Sequence, residues 1–326
     1  MIRDGNDAAA IAEAASVIQS GGLVGFATET VYGLGADASS DAAVAGIFAA
    51  KGRPSDHPLI VHVAEPAQVA DYAVNIPPFA ERLMKALWPG PLTVILKRRP
   101  GIAAAAAGGQ DSIGLRCPAH PVAQALLKAC ATGVAAPSAN RFGRVSPTTA
   151  RHVADEFGDD LLVLDGGPCE IGIESSIVDC TRGRPVLLRP GVFTRAQLEA
   201  ACGEPLLDDG DMLDADAPRA SGTLASHYAP NARVRLMDAA AIQAALDLLG
   251  ADAAHIAVYA RSIVRIQSDK VIYRRMPDDA LATAQQLFAV LRGFDALGVK
   301  LIWIELPPSG PEWDGVRDRL GRAAAD

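Results

Sequence analysis

Cysteine is scarce and scattered in this chain. Five are present in 326 residues (Cys117, Cys130, Cys169, Cys180 and Cys202), an odd number with no C-x-x-C pair. That argues against a disulfide framework or a cysteine zinc site and for reduced thiols in a cytoplasmic setting. Long apolar runs are missing as well: glycine or charge breaks each one well short of the roughly 20 residues a bilayer span needs. The opening stretch MIRDGNDAAA carries acidic residues and no apolar h-region, so neither a secretory signal nor a membrane partner is expected. Positive charge is also in deficit, and the net charge of −8 leaves no global basic field to draw the chain to nucleic acid. Any RNA contact would need a local basic patch.

Familiar fingerprints are absent too. There is no G-x-x-x-x-G-K-[ST], no G-x-G-x-x-G after the first strand, no H-E-x-x-H and no G-x-S-x-G. Clustered Asp and Glu ligands are lacking, so no protein metal site is expected. Any polyphosphate chemistry must rest on Lys, Arg, hydroxyls and backbone N–H groups, with Mg²⁺ carried by the phosphates and water.

What is there is alternation. Helical periodicity over 7–20, capped by Asn6/Asp7 and stopped at Gly21–Gly22, precedes the buried strand LVGFAT. A second helix runs from Ser39–Asp41 to about Lys51. Further strands are expected at 59–63, 92–96, 113–116, 161–164, 176–179 and 185–189, with helices near 78–87, 121–131, 147–157 and 194–202. The acidic stretch EPLLDDGDMLDADAP (204–218) reads as a linker, followed by RASGTLASHYAP, an odd mixture of small residues with His227 and Tyr228. From Arg233 a second alternation begins: strands at 233–237, 255–260 and 300–306, with helices at 239–249, 279–297 and from about 311. The expected fold class is α/β (α+β): a twisted mixed sheet with helices over 1–203, a linker or lid over 204–232, and a small Rossmann-like α/β domain over 233–326.

Four segments carry chemistry, all at strand ends or in the loops that follow, where open α/β sheets bind ligands. In GFATETVYGLGADA, Thr28 and Thr30 offer hydroxyls, although Thr, Val and Tyr also simply favour strands. In KGRPSDHPLIVHV, Lys51 and Arg53 sit in a loop stiffened by Pro54 and Pro58, where Arg53 can grip two phosphate oxygens or form a solvated basic turn. His62 lies inside an apolar strand, so it is either a core histidine or aimed into a site. In GVAAPSANRFGRVSPTTARHV, Ala135–Ala136 permit close approach, and Ser138, Asn140, Arg141 and Arg144 follow. There Ser146 precedes a helix expected to open at Pro147, a place for a cap or an anion. In IGIESSIVDC…VLLRPGVF, Glu174, Ser175 and Ser176 lead into one strand, and Arg189 ends the next before a Pro190–Gly191 turn.

Taken in order, TETVYGLGADA, KGRPSDHPLIVHV, WPGPLTVIL, LRCPAHPV, PSANRFGRVSPT and ESSIVD…LLRPG resemble the threonylcarbamoyl-AMP synthase family with its YrdC-like domain. The match covers about 8–203, and SHYAP with the C-terminal α/β domain resembles the long, two-domain form. The resemblance implies a nucleotidyltransferase that condenses L-threonine, bicarbonate or CO₂, and ATP into threonylcarbamoyl-AMP and pyrophosphate. The product would pass to threonylcarbamoyl-transferring machinery that modifies tRNA. By the same resemblance Thr30, His62, Arg116, Ser138 and Ser175 are threonine contacts. Arg53, His57, Ala136, Ser138, Ser146, Arg189 and Tyr228 are ATP contacts, and Lys51 and Arg53 are the catalytic cations. Two departures stand out: His57 occupies a position often Asn in the family, and GTLASHY lacks the Lys and Arg that many long forms carry before HY. Other readings stay open. A carbamoyltransferase module would sit beside acylphosphatase and zinc-finger regions, and none is visible. An RNA-binding module would use Lys51, Arg53, Arg141 and Arg144 against an acidic balance. A cysteine hydrolase on Cys117 or Cys169 has no well-placed His.

Overall fold

The computed structural model describes residues 1–211, 217–223, 227–262 and 264–325. Parts of the expected linker and of the GTLASHY segment (212–216 and 224–226) thus lie outside the described residues. The chain divides into two compact units, Met1–Phe142 with Ser146–Thr223, and Gly143–Val145 with Leu224–Asp326.

In chain order the first unit contains β1 (Ile2–Asp4), α1 (Ala8–Gln19), β2 (Val24–Phe26), β3 (Gly33–Asp37), α2 (Asp41–Lys51) and β4 (Ile60–His62). Next come α3 (Val69–Tyr72), α4 (Pro78–Leu87), β5 (Leu92–Lys97), β6 (Ser112–Arg116), α5 (Pro121–Cys130) and β7 (Val134–Ala135). The unit closes with α6 (Ala150–Phe157), β8 (Leu162–Asp165), β9 (Ser176–Asp179), β10 (Val186–Arg189), α7 (Arg195–Cys202) and β11 (Leu207–Asp208). The strands form one mixed sheet in the order β1-β8-β2-β3-β7-β4-β6-β5-β9-β10-β11. Hydrophobic clusters cover it, one built around Leu34, Ile47, Val61, Leu83 and Val94, another around Ile18, Phe26 and Leu126. The expected mixed α/β sheet is what the chain forms.

Local chemistry sets the element ends. Ser40 caps α2 through the Ala43 N–H at 3.2 Å, and Gly52, at φ 65°, takes the left-handed turn that closes the helix and delivers Arg53. β3 (GLGAD) was not expected, because glycines disguise its strand pattern. Its Gly35 needs the missing side chain: a Cβ there would stand 2.8 Å from Phe26 and Val134 carbons.

The helix expected over 147–157 starts instead at Ala150, capped by Thr149. Residues before it are paired elsewhere: the Pro147 carbonyl accepts from Tyr32 N (2.9 Å) and that of Thr148 from Cys169 N (3.0 Å), so they cannot enter a helix. Ser146 is therefore not a helix N-terminus, and the expected anion site at such an end is not formed. The acidic stretch is not a plain linker either, since β11 pairs parallel with β10 and its described residues belong to the first unit.

The second unit comprises β12 (Arg233–Met237), α8 (Ala239–Leu249), β13 (Ile256–Ala260), β14 (Ile272–Arg275), α9 (Ala280–Ala296), β15 (Leu301–Glu305) and α10 (Asp314–Ala323). Its strands are all parallel, in the order β12-β15-β13-β14. Ile242, Leu246, Val258 and Trp303 form its core. β14 was not foreseen: only Ile272 and Tyr273 favour a strand before two exposed arginines. All five cysteines are free and buried, and no helix among the described residues is long and apolar enough to cross a membrane.

Candidate active site

The first unit gathers three groups of polar side chains at its strand ends. The first is built on the turn after β2. Thr28 Oγ1 accepts from the N–H groups of Thr30 and Val31, both at 3.2 Å, and donates to the Val31 carbonyl at 2.6 Å. That fixes the Thr30 hydroxyl 2.8 Å from Thr28 Oγ1 and within 2.8 Å of Arg116 Nη1, which donates to it. Arg116 ends β6, gives its Nε–H to the Gly90 carbonyl (3.3 Å) and pairs through Nη2 with Glu29 at 2.7 Å. Burial alone would raise the Glu29 carboxyl, but the charge of Arg116 beside it holds it below the usual range.

His62 ends β4 and sits opposite Arg116 in the parallel register of β4 and β6. Burial, followed by repulsion from Arg116, pushes the imidazole down to about 3, so it is neutral at ordinary pH. Its Nδ1 is buried with no hydrogen-bond partner among the described residues. The strand position that left His62 ambiguous in the sequence therefore resolves to a buried, neutral ring beside Thr30's partner Arg116.

The second group lies where β5, β9 and β10 meet. Ser175 Oγ is 2.8 Å from Thr93 Oγ1, and Arg189 donates to the Ser175 carbonyl (3.1 Å) and hydroxyl (3.3 Å). A third Arg189 donor reaches the Ser221 carbonyl at 2.7 Å, and Arg53 Nη2 lies 3.4 Å from the Ser221 hydroxyl. The two arginines expected to meet phosphate thus converge on one point in segment 217–223. Arg219 tethers that segment through Asp56 (2.8 Å) and the Gly108 carbonyl (3.2 Å). Beneath it, Pro58, Ile60, Thr93, Ser112 and Ile177 line a slot of about 10 Å³, the room of a single water. Ser221 and Thr93 were not singled out by sequence. The odd composition of RASGTLASHYAP was the signal for the first, and nothing marked the second.

The third group is a clamp. Lys51 ends α2 with its ammonium buried, donating to the Ser138 carbonyl (2.6 Å) and to that of Asn140. Phe142 N returns a hydrogen bond to the Lys51 carbonyl at 2.9 Å. Burial and then Arg53 hold this amine well below its ordinary value. Lys51 thus braces loop 137–142. Arg53 also donates to the Pro58 carbonyl (2.9 Å) and lies 5.7 Å over the Phe142 ring. His57 packs edge-on against the same ring at 5.4 Å and is lowered by partial burial and by Arg53. Ala136 N donates to the Ile60 carbonyl at 2.9 Å, and Ser146 donates to buried Glu174. Tyr228 belongs to the second unit, buried at φ 62°, stacked 5.4 Å from Phe288 with Arg319 5.4 Å over its ring.

Fixed guanidinium charge ringed by hydroxyls, at the strand ends of a mixed sheet, defines an α/β protein equipped to hold a polar, anionic ligand. Comparison with known proteins gives this class a family. The family model described as "Telomere recombination" matches residues 16–191, and "Threonylcarbamoyl-AMP synthase, C-terminal domain" matches 193–325. A threonylcarbamoyl-AMP synthase of Pyrococcus abyssi is 39% identical over 300 residues, covering 90% of this chain and 87% of that protein. The Bacillus subtilis protein of that name is 43% identical over 230 residues, covering 70% and 66%. The crystal structure of P. abyssi Sua5 complexed with L-threonine superposes with a TM-score of 0.88 at 37% identity, covering 96% of this chain and 94% of that one. The chain belongs to the threonylcarbamoyl-AMP synthase family, in its long two-domain form.

Proposed function

We propose that this chain is an L-threonylcarbamoyladenylate synthase, a nucleotidyltransferase that joins L-threonine, bicarbonate and ATP, releasing pyrophosphate and water. The observation that carries the proposal is the convergence of Arg53 and Arg189 on Ser221, together with the buried pairing of Thr30 and Arg116 in the same unit. Three mobile reactants need orientation and charge neutralisation more than a nucleophile from the protein. In this reading bicarbonate loses water to deliver CO₂, and threonine's amine adds to that CO₂ and gives up a proton to leave a carbamate. The carbamate oxygen attacks the α-phosphorus, and the bond to pyrophosphate breaks in line. Arg53 and Arg189 face the phosphates once Ser221 yields them, with Ser146 and Ala136 on the nucleotide side. Thr30, His62, Arg116 and Ser175 receive threonine, and Ser138 lies between the two.

Among the described residues no three His, Cys, Asp or Glu side chains gather as a metal-binding group. Mg²⁺ is accordingly proposed to arrive on the ATP phosphates and to be held there by phosphate and water. The adenylate is proposed to pass to a threonylcarbamoyl-transferring partner acting on tRNA. The test is pyrophosphate release from ATP with threonine and bicarbonate each supplied or omitted. Release that needs both, and that is lost in folded Thr30→Val and Arg53→Ala proteins, supports the reading. Release that ignores threonine overturns it.

A further inference from the structure

We infer that Glu29 is a positioning residue for the amino-acid half of the site, aiming Arg116 and setting the pocket's net charge to suit a zwitterion. The inference rests on the function proposed above. Glu29 is fixed from its backbone outward: its carbonyl accepts from Ile171 N at 2.8 Å, and that of Thr30 accepts from Gly172 N at 3.1 Å. The side chains of Glu29 and Arg116 are 6% and 5% exposed, and their contact is 2.7 Å. Arg116 is thus held from three directions, by the Gly90 carbonyl, the Glu29 carboxylate and the Thr30 hydroxyl. Remove the carboxylate and one of these anchors is lost, leaving the guanidinium free to turn away from Thr30.

Charge balance makes the same point independently. Glu29 and Arg116 form a buried one-to-one pair beside Thr30, so this part of the pocket carries no net charge of its own. An amino-acid zwitterion enters there without creating an uncompensated buried charge. Replacing Glu29 by a neutral isostere makes the pocket cationic. Such a pocket favours a carboxylate that carries no ammonium. A residue that merely stabilised the fold would not alter that preference.

The experiment measures binding of L-threonine, of 3-hydroxybutanoate (threonine without its amine) and of ATP to wild-type protein, Glu29→Gln and Glu29→Asp. The expected result for Glu29→Gln is threonine weakened about 30-fold or more, as for one partner lost from a buried charge pair. Binding of ATP should stay within about twofold and that of 3-hydroxybutanoate should hold or improve, with Glu29→Asp losing threonine affinity selectively but less than Glu29→Gln. Equal weakening of all three ligands, or no weakening, in a wild-type protein that binds threonine overturns the inference alone. Wild-type protein that ignores threonine overturns the proposed function and this inference with it. If Glu29→Gln does not fold, Glu29→Asp decides. It keeps the charge but draws it back from Arg116, so selective loss of threonine supports the role and equal loss of ATP refutes it.

Discussion

His62 offers a measurable link between burial and acid stability. Its imidazole is held at about 3 in the folded chain against an ordinary 6.5. The unfolded state therefore takes up a proton as the pH falls through 6.5, while the folded state does not. The stabilising contribution of a neutral, buried His62 is complete above 6.5 and is lost progressively as the pH drops toward 3. Between pH 7 and pH 5 the linkage relation gives a loss of about 2 kcal/mol from this one residue. That figure barely changes for any folded value below about 4, because at pH 5 the native ring is then neutral. The assay is denaturant unfolding of wild-type protein and His62→Gln at pH 7 and pH 5, with other titrating groups common to both. Wild-type protein should lose about 2 kcal/mol more than the variant over this interval. Parallel losses would refute the reasoning, as would an NMR titration in which the His62 ring protonates near pH 6.

Three further outcomes follow from the geometry. Arg53→Ala and Arg189→Ala should each lower threonine-dependent pyrophosphate release by about 10²–10³ while leaving the far-UV circular dichroism unchanged. Lys51→Met leaves the carbonyls of Ser138 and Asn140 without their shared buried donor, so thermal or urea unfolding should register a loss of about 1–3 kcal/mol. An unchanged midpoint would show that the clamp on loop 137–142 is not stabilising. Gly35→Ala places a methyl 2.8 Å from Phe26 and Val134 carbons, and equilibrium unfolding should report a cost of about 1–3 kcal/mol from the forced repacking.

Much of this site could be located from the sequence because its residues sit at strand ends, where alternation stops and hydroxyls, arginines or prolines begin. Arg116, Arg189 and His62 each close a strand, and the pattern of apolar residues before them points to those positions. The position of Ser146 was misread for a physical reason. Ser-Pro-Thr-Thr is a good helix opening locally, yet the carbonyls of Pro147 and Thr148 accept hydrogen bonds from Tyr32 and Cys169, so the helix waits until Thr149. No local rule contains those partners. For Lys51 the sequence shows the residue and its place at the end of a helix, but not the Ser138 and Asn140 carbonyls it meets.

The sequence by itself determined the class of elements, their approximate order, the family and the stock of hydroxyls and guanidinium groups. These depend on side-chain periodicity, turn chemistry and residue identity, which act over a few positions. Only the tertiary structure decided which groups face one another. Thr30 meets Arg116 across 86 positions, and Arg189 meets Ser221 across 32. The same packing made His62 neutral, set Lys51 against the carbonyls of Ser138 and Asn140, and paired Glu29 with Arg116. Charge state and reach depend on desolvation and on neighbours brought close by the mixed sheet, and neither is encoded in the local pattern of any one segment.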